Sequence, residues 1–278
     1  MRCSIPEGVE LKISCEHLVK NLKDKYITNA FVLGNGRYKN KSPEGLNEFI
    51  LSLSNDKIKI KDINVKGKLM YWSFSNGWFM LCSYGMSAQW SKEKNKHSGF
   101  AISYLQEDEN KEFYFNDIRH FGTIKFINSD KELNKKLNKL GWDPLSSDNI
   151  PINFIDKKIN SNKCIGTLLM DQSIFAGVGN YIRAEALYRS KISPWRRGYS
   201  LNISERNLLL DEIVKVMKES YQSQGATIYT YKNVEGDSGK YVDFFKVYGK
   251  NIDPEGNLVV KETTPEGRTI HWVPAIQK

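Results

Sequence analysis

The sequence predicts an α+β fold: a leading helix and a β-sandwich, then a helical segment and a closing β-hairpin. Residues 9–23 carry apolar residues at helical spacing, and residues 26–128 consist of short β-branched and aromatic runs. Residues 161–223 return to helical spacing. With 278 residues, of which 40% are hydrophobic and 12% aromatic, the chain can bury a sizeable core, which excludes wholesale disorder.

The first helix has one apolar face, formed by Leu11, Cys15, Leu18 and Leu22. Strands are predicted at the runs 58–60, 69–74, 78–82, 100–105, 113–115 and 123–127. Asn-Gly pairs at 35–36 and 76–77 are typical of hairpin turns. This pattern indicates an all-β sandwich or barrel behind a single helix.

The second half begins with a polar stretch at 129–160, where we expect a short helix over 131–140 and then a linker. One helix should close at 168–170, and a second should run from the turn at 177–180 to about Ser190. A third should run to about Ser223 with Ser204 as its N-cap. Its inward side chains should be Leu208, Ile213, Val216 and Met217. Further β runs are predicted at 244–248, 258–261 and 269–272.

The charge balance points to a polyanionic partner. Forty-one Lys and Arg against 32 Asp and Glu give a net charge of +9, which favours nucleic acid over an anionic membrane surface. The alternative is that the surplus of positive charge serves only solubility. No run approaches the roughly 18 apolar residues of a membrane span, and the N-terminus lacks a secretory signal. We therefore expect an intracellular protein that is not secreted.

The cysteines give no metal signal. None of the four pairs at C-x-x-C spacing, so no zinc or redox motif is predicted. In a reducing compartment we expect free, packed thiols at Cys3, Cys15, Cys82 and Cys164.

Two glycine-containing turns are candidate anion-binding sites. Gly177-Val178-Gly179-Asn180 stands before a predicted helix, where exposed N–H groups form an anion cradle and Asn180 can serve as the N-cap. A plain helix–helix connection is the alternative. Arg268 lies at the tip of the last hairpin, where it can grip a phosphate or remain a solvated turn arginine.

Three further side chains have the chemistry needed to fill the hole left by a flipped nucleotide. Arg119 and Phe121 should project on the same side of an extended segment, and Met86 lies on a Gly-containing turn. Apolar wedges beside an arginine suit this task. Burial of the Met and the Phe in the core is the alternative.

Seven segments in order resemble the formamidopyrimidine-DNA glycosylase / endonuclease VIII family. They are PEGVE (6–10), GK (67–68), YGMSA (84–88), DIRHFG (117–122), residues 168–194, FKVYGK (245–250) and GRT (267–269). The stretch 168–194 is long and specific, and it resembles the family's helix–two-turn–helix, especially in the Nei-like branch of vertebrates and giant viruses.

The resemblance implies four regions. These are a β-sandwich catalytic domain (1–140), a linker (141–150), a helix–two-turn–helix DNA-binding domain (151–244) and a finger hairpin (245–278). Where the family's zinc-binding cysteines would fall, this chain has Ile252, Glu255, Val273 and Ile276. Without thiolates there is no tetrahedral zinc site, so the resemblance implies a zincless finger with no metal and no cofactor.

The implied function is base excision repair by a bifunctional DNA glycosylase and AP lyase. Such a protein acts as a monomer on double-stranded DNA that contains oxidised bases or abasic sites, in the nucleus or in a viral factory. Oxidised pyrimidines and hydantoins are the expected lesions, extending to formamidopyrimidines and 8-oxoguanine. The segment 225–241 resembles the family's lesion-capping loop.

By motif match the nucleophile is Pro6, whose secondary amine attacks C1′ and forms an iminium. Glu7 resembles the acid–base carboxyl, Glu10 the second carboxylate and Lys68 the lysine that grips phosphate near the lesion. In this sequence five residues precede Pro6, and a peptide-bonded proline nitrogen has no N–H. The chain as written is therefore expected to be inert in the lyase step.

Three explanations of this departure stay open. The chain starts at Pro6 after initiation at the codon read as Ile5, the first five residues are removed, or the protein binds damage without cutting. The last is the alternative function: a non-catalytic damaged-DNA binding protein.

The remaining roles also follow from the resemblance. Asn180 and Arg268 would pinch the DNA backbone around the flipped nucleotide. His97 would be a further phosphate contact, or simply a surface histidine. The void-filling triad would consist of Met86, Arg119 and Phe121.

Overall fold

The structure is a computed structural model that describes residues 6–54, 57–147, 149–226, 239–264 and 266–278. The chain divides into two compact units. The N-terminal unit is built mainly from Glu10–Asn138, and the C-terminal unit from Glu7–Val9, Lys139–Ala226 and Lys240–Lys278. Among the described residues, no helix has the length and apolar character needed to cross a membrane.

Helix α1 (Gly8–Leu22) confirms the predicted first helix to within one residue at each end. Its apolar stripe is buried as expected, with exposed fractions of at most 4% at Leu11, Cys15, Leu18 and Leu22. Glu10 lies in the first turn, where the helix dipole favours negative charge.

The described residues of the N-terminal unit form two antiparallel sheets. Their strands are β1 (Ile27–Val32), β2 (Ile60–Lys66), β3 (Leu69–Phe74), β4 (Phe79–Ser83), β5 (Ala88–Ser91), β6 (Ser98–Gln106), β7 (Glu109–Asp117) and β8 (Thr123–Ile127). One sheet has the order β1-β6-β7-β5 and the other β2-β3-β4-β8. Trp72 and Trp90 come from different sheets and their ring centroids lie 5.2 Å apart. The predicted sandwich is therefore confirmed.

The two Asn-Gly pairs differ in their outcome. The pair at 76–77 joins β3 to β4 as predicted, and Gly77 has the left-handed φ of +83°. The hairpin predicted at 35–36 is wrong, because β1 pairs with the distant β6 and a 3₁₀ turn (Gly36–Tyr38) follows β1. That turn brings the Tyr38 hydroxyl to β8, where it donates to the Ile124 carbonyl at 3.3 Å and accepts from the Ile124 N–H.

Three short helices lie in segments where the sequence predicts secondary structure less accurately than in the strands and the first helix. Helix α2 (Leu46–Leu53) lies between β1 and β2 and was not predicted. Helix α3 (Asp130–Leu137) corresponds to the helix predicted at 131–140, and Ser129 caps it by accepting from the Glu132 N–H. Helix α4 (Ile152–Ile159) follows the predicted linker and buries Ile155 and Ile159.

The central helices of the C-terminal unit are α5 (Ile165–Leu168), α6 (Asn180–Arg189) and α7 (Ile203–Gln222). The N-cap of α7 is Asn202 and not Ser204, because the Asn202 side chain and Glu205 form a capping box. Leu208 is 44% exposed, so its predicted inward position is also wrong. The other three predicted core residues, Ile213, Val216 and Met217, are fully buried.

The end of the chain forms a hairpin of β9 (Val260–Thr263) and β10 (Thr269–Trp272). The strand predicted at 244–248 is wrong. The N–H groups of Lys246, Val247 and Tyr248 donate at 2.8–3.0 Å to the buried carboxylate of Glu185, so they are not available to a sheet. Burial raises the pKa of Glu185, and these three hydrogen bonds oppose that effect.

The hairpin region is held by apolar and hydrogen-bonded contacts. Five buried side chains form one cluster: Ala184, Tyr188, Val247, Val259 and Val273. Asp253 organises one turn by accepting from the backbone N–H groups of Glu255 and Asn257. Gln277 organises the other by accepting from the Val273 N–H. Within the described ranges, no group of three His, Cys, Asp or Glu side chains is placed to hold a metal ion.

Candidate functional site

Glu7 lies at the N-terminus of helix α6. The side chain is 2% exposed, and its Oε1 accepts from the Tyr181 N–H at 2.9 Å. The next residue, Gly8, donates its N–H to the Gly177 carbonyl at 2.9 Å. This hydrogen bond holds the backbone beside Glu7 against the turn that precedes α6. The first turn of α6 therefore acts as an anion cradle, and in the structure the anion beside it is the protein's own Glu7 carboxylate.

Two glycines make this approach possible. A Cβ atom on Gly179 would lie 2.2 Å from Cδ of Glu7, and one on Gly8 would lie 2.7 Å from Cα of Gly177. Both distances are too short for real atoms, so any side chain at either position would displace Glu7 or the turn. The Gly-x-Gly-Asn motif is thus more than a connection between helices.

Asn180 does not cap α6: the N-cap residue is Gly179, and Asn180 is the first residue of the helix. Its side chain instead reaches the terminal hairpin, where Nδ2 donates to the Thr269 carbonyl at 2.8 Å. Arg268, the residue before Thr269, is exposed in the β9–β10 turn. The structure therefore brings the predicted DNA-binding pair, Asn180 and Arg268, to the same end of the C-terminal unit.

A buried arginine links these elements. Arg183 is completely buried, and its Nη1 donates to Glu266 Oε1 at 2.8 Å and to the Gly166 carbonyl at 3.0 Å. Its Nη2 donates to Oδ1 of Asn180. Arg183, Glu266 and Glu185 are not predicted from the sequence. The available signal was an arginine and a glutamate within the otherwise apolar stretch 181–188.

Lys68 occupies the two-residue turn between β2 and β3. Lys66 pairs with Leu69 across that turn, and Gly67 has the positive φ of +57° that a type II′ turn needs at its first position. Lys68 is half-buried, and it belongs to the N-terminal unit, as does the 1% exposed Glu10.

The three predicted void-filling residues lie on two adjoining loops of the N-terminal unit. A Cβ atom on Gly85 would lie 2.6 Å from the backbone of Phe121, so the Met86 turn packs directly against the 118–122 loop. Asp117 fixes that loop by accepting from the Gly122 N–H and the Ser87 hydroxyl, both at 2.7 Å. The Arg119 N–H donates to the same hydroxyl at 2.9 Å.

The 118–122 loop is bent and not extended as predicted, since His120 has a φ of +61°. Arg119 and Phe121 nevertheless lie together, with the guanidinium carbon 5.6 Å from the centre of the ring. Phe121 is 52% exposed, which argues against the core alternative for this residue, whereas Met86 is half-buried.

His97 lies just before β6, beside the base of the same loop. Its carbonyl accepts from the Asp117 N–H at 2.9 Å, and the side chain is half-buried. Pro6 is buried and precedes α1 by two residues. Residues 1–5 and most of the predicted lesion-capping loop, at 227–238, lie outside the described residues. Cys15, Cys82 and Cys164 are free and buried.

Two family descriptions match the chain. The formamidopyrimidine-DNA glycosylase N-terminal domain matches residues 5–124, and the H2TH domain of the same glycosylase matches residues 140–232. The formamidopyrimidine-DNA glycosylase of Prochlorococcus marinus (strain MIT 9312) is 31% identical over 231 residues, which cover 79% of this chain and 77% of that protein.

Two solved structures have the same fold. The complex of Lactococcus lactis Fpg with DNA that contains an abasic site has a TM-score of 0.85 at 24% identity, covering 98% of this chain and 99% of that one. The complex of the wild-type protein with DNA that contains an oxidised pyrimidine has a TM-score of 0.84 at 23% identity, covering 98% and 100%. The Nei-like assignment stays a prediction.

Proposed function

The chain belongs to the formamidopyrimidine-DNA glycosylase family of DNA repair enzymes, and we propose that it excises oxidised bases from duplex DNA and then cuts the abasic strand. The observation that carries the proposal is the burial of Glu7, the residue after Pro6, against the N-terminus of α6. A carboxylate held by a helix start beside an amine is suited to proton transfer during amine attack.

In this proposal the nucleophile is the secondary amine of Pro6 in a chain that begins at this residue. The nitrogen lone pair bonds to C1′ while the bond between C1′ and the base breaks and the base leaves with the electron pair. An α-amine with a pKa of roughly 8 is about one-tenth neutral at pH 7, far more than a typical lysine. Opening of the sugar ring at C1′ then gives an iminium, which withdraws electrons. Loss of a C2′ proton expels the 3′ phosphate (β-elimination), and loss of a C4′ proton expels the 5′ phosphate (δ-elimination).

Glu7 is the proposed acid–base group and Glu10 the second carboxylate. Glu7 takes the N–H proton from the attacking Pro6 nitrogen and delivers it to the sugar ring oxygen, so that the C1′–O4′ bond breaks and the iminium forms. Gly8 and Gly179 support this role because a Cβ atom at either position would displace Glu7 or the turn that holds it.

The proposed DNA contacts are of two kinds. Asn180, Arg268, Lys68 and His97 bind backbone phosphates, and these contacts position the duplex without reading its sequence. Met86, Arg119 and Phe121 occupy the space that the flipped nucleotide leaves, and the exposure of Phe121 beside Arg119 supports this assignment. The proposed substrates are oxidised pyrimidines and hydantoins, extending to formamidopyrimidines and 8-oxoguanine, and the protein acts as a monomer.

Borohydride trapping tests the proposed reaction. A protein that begins at Pro6 should form a stable covalent complex with an abasic duplex, because borohydride reduces the iminium. Its Glu7→Gln variant keeps the side-chain shape but cannot transfer a proton, so it should trap more slowly by about 100-fold or more. The 278-residue chain with its five leading residues intact should not trap.

Binding of a duplex with a tetrahydrofuran abasic analogue completes the test. If the protein that begins at Pro6 binds this duplex but gives no covalent complex, the lyase proposal is wrong and the damage-binding alternative is supported. If it neither binds nor traps, both functions are excluded.

A further inference from the structure

Arg183 is a charged residue in a completely buried position of helix α6. A buried guanidinium needs partners for its donors, because desolvation is costly. Arg183 has three: the Glu266 carboxylate, the Gly166 carbonyl and Oδ1 of Asn180. A single side chain thus joins the start of α6, helix α5 and the β9–β10 turn.

Glu266 anchors that turn from the other side. Its second oxygen accepts from the Thr167 hydroxyl at 2.8 Å, so both carboxylate oxygens are bound to the helical part of the C-terminal unit. Arg268 follows two residues later, and its carbonyl accepts from the N–H and the hydroxyl of Thr264 at 2.8 Å. The backbone position of Arg268 therefore depends on the turn that Glu266 holds.

The contact with Arg183 also fixes the Asn180 amide. With Oδ1 held by the guanidinium, the amide nitrogen points to the hairpin, where one N–H donates to the Thr269 carbonyl. The second N–H of this amide has no partner among the described residues and can donate to a phosphate oxygen. A flipped amide would present its oxygen to the phosphate and repel it.

We propose that Arg183 and Glu266 are positioning residues that orient Asn180 and Arg268 for binding one DNA phosphate segment. The inference rests on the proposed function, in which Asn180 and Arg268 contact DNA. Stability alone does not account for this pair, because the desolvation of the buried Arg183 guanidinium offsets much of its Coulomb attraction to Glu266. An apolar side chain could join α6 to the hairpin, but it could not orient the amide.

The test is fluorescence anisotropy with a duplex that contains the tetrahydrofuran analogue, combined with thermal unfolding. Glu266→Gln should weaken binding about tenfold. Combined with Asn180→Ala, the further loss from Glu266→Gln should be clearly smaller than tenfold, because the part of its effect that acts through Asn180 is already lost and only the part through Arg268 remains. Arg183→Lys keeps a buried charge that can pair with Glu266 but lacks the second donor arm. Its loss of binding free energy for the duplex should therefore exceed its loss of unfolding free energy.

Glu262 provides a matched control on the same hairpin. Its Oε2 accepts from the indole N–H groups of Trp195 and Trp272, both at 2.7 Å. Glu262→Gln should lower the Tm of the hairpin-containing unit but change affinity less than twofold, and it should add independently to Asn180→Ala.

Three results would overturn the proposal. One is wild-type affinity in both Glu266→Gln and Arg183→Lys. Another is full additivity of Glu266→Gln with Asn180→Ala. The third is a loss of affinity in Glu262→Gln that is as large, relative to its loss of Tm, as the loss in Glu266→Gln. If the wild-type protein itself does not bind the duplex, the proposed function fails instead, and the positioning role fails with it. Glu266 is part-exposed, with 25% of its side chain accessible, so Glu266→Ala offers a folded variant if Arg183→Lys does not fold.

Discussion

At the residue scale, the site depends on charged groups that the fold surrounds with specific donors. Glu7 is buried against the start of α6, and Glu185 accepts three N–H groups from 246–248. The buried Arg183 pairs with the part-exposed Glu266. Each of these groups has polar partners that orient it, and orientation is what proton transfer and phosphate binding require.

Gly179 gives the most direct test of the Glu7 position. Gly179→Ala would place a methyl group 2.2 Å from the Glu7 carboxyl carbon, so Glu7 must move. We expect base excision to fall by about 100-fold or more, as for loss of an acid–base group. Single-turnover kinetics on a damaged duplex measures this effect.

Gly99→Ala is the control for that experiment. Its new Cβ would lie 3.1 Å from the Asn35 carbonyl, a tight contact far from Glu7 in sequence and in the other unit. It should cost some stability with little loss of excision rate. Equal excision rates in Gly179→Ala and the wild-type protein would contradict the assigned role of Glu7.

The sequence identifies some of these residues and not others, for a physical reason. The motif at 177–180 indicates an anion cradle, but the anion is Glu7, which is 174 residues from its partner Tyr181. Arg183 and Glu266 are 83 residues apart, and neither neighbourhood has a pattern that indicates the other. Local spacing cannot reveal partners that only the tertiary fold brings together.

At the element scale, short loops present the candidate DNA-contacting side chains. Asp117 and Ser87 hold the 118–122 loop by hydrogen bonds at its ends. This leaves the Phe121 ring half-exposed beside the Arg119 guanidinium, where both side chains are accessible to DNA.

Phe121→Ala separates recognition from stability. Because the ring is 52% exposed, we expect its removal to change the free energy of unfolding by no more than about 0.5 kcal/mol. Excision of a base from duplex DNA should fall clearly, since the ring no longer fills the vacated space. Urea unfolding and excision kinetics are compared, and a large loss of stability with unchanged excision would assign the ring to the core instead.

Apolar contacts hold the terminal hairpin, at the place where the resemblance to the family would put zinc-binding cysteines. Val273 is fully buried in the cluster with Val247 and Val259. Val273→Ala should therefore destabilise the C-terminal unit by about 2 kcal/mol. EDTA should leave the Tm of the wild-type protein unchanged, and a drop in Tm with EDTA would contradict this account of the hairpin.

The elements also show where local patterns mislead. The run 244–248 is typical of a strand, yet its N–H groups bind Glu185. Asn35-Gly36 is typical of a hairpin, yet the chain turns to place Tyr38 beside β8. In both cases a tertiary hydrogen bond decides the outcome over local propensity.

At the scale of the whole molecule, the +9 net charge is suited to binding a polyanion. If Asn180, Arg268, Lys68 and His97 contact phosphates, binding must release counterions. We expect the logarithm of the affinity for duplex DNA to fall linearly with the logarithm of salt concentration, with a slope of about −0.9 per phosphate neutralised. Lys68→Ala should make this slope shallower by about one, and a slope near zero would contradict a phosphate interface.

The overall architecture was the most predictable feature. Alternating burial follows from the alternating polar and apolar residues in strands such as β8, and the leading helix follows from its four-residue apolar face. Helix α2 was missed because its eight residues lie within a region of β-type runs, and helix α4 because its eight residues lie within a polar stretch.

In the proposed reaction the Pro6 nitrogen attacks the sugar while Glu7 transfers the proton. The most direct measurement is peptide mapping by mass spectrometry of the borohydride-trapped complex, made from a protein that begins at Pro6. The DNA remnant is expected on the peptide that begins with Pro6, attached through its nitrogen. Attachment to a lysine side chain, or an equal yield of complex from the intact 278-residue chain, would contradict it.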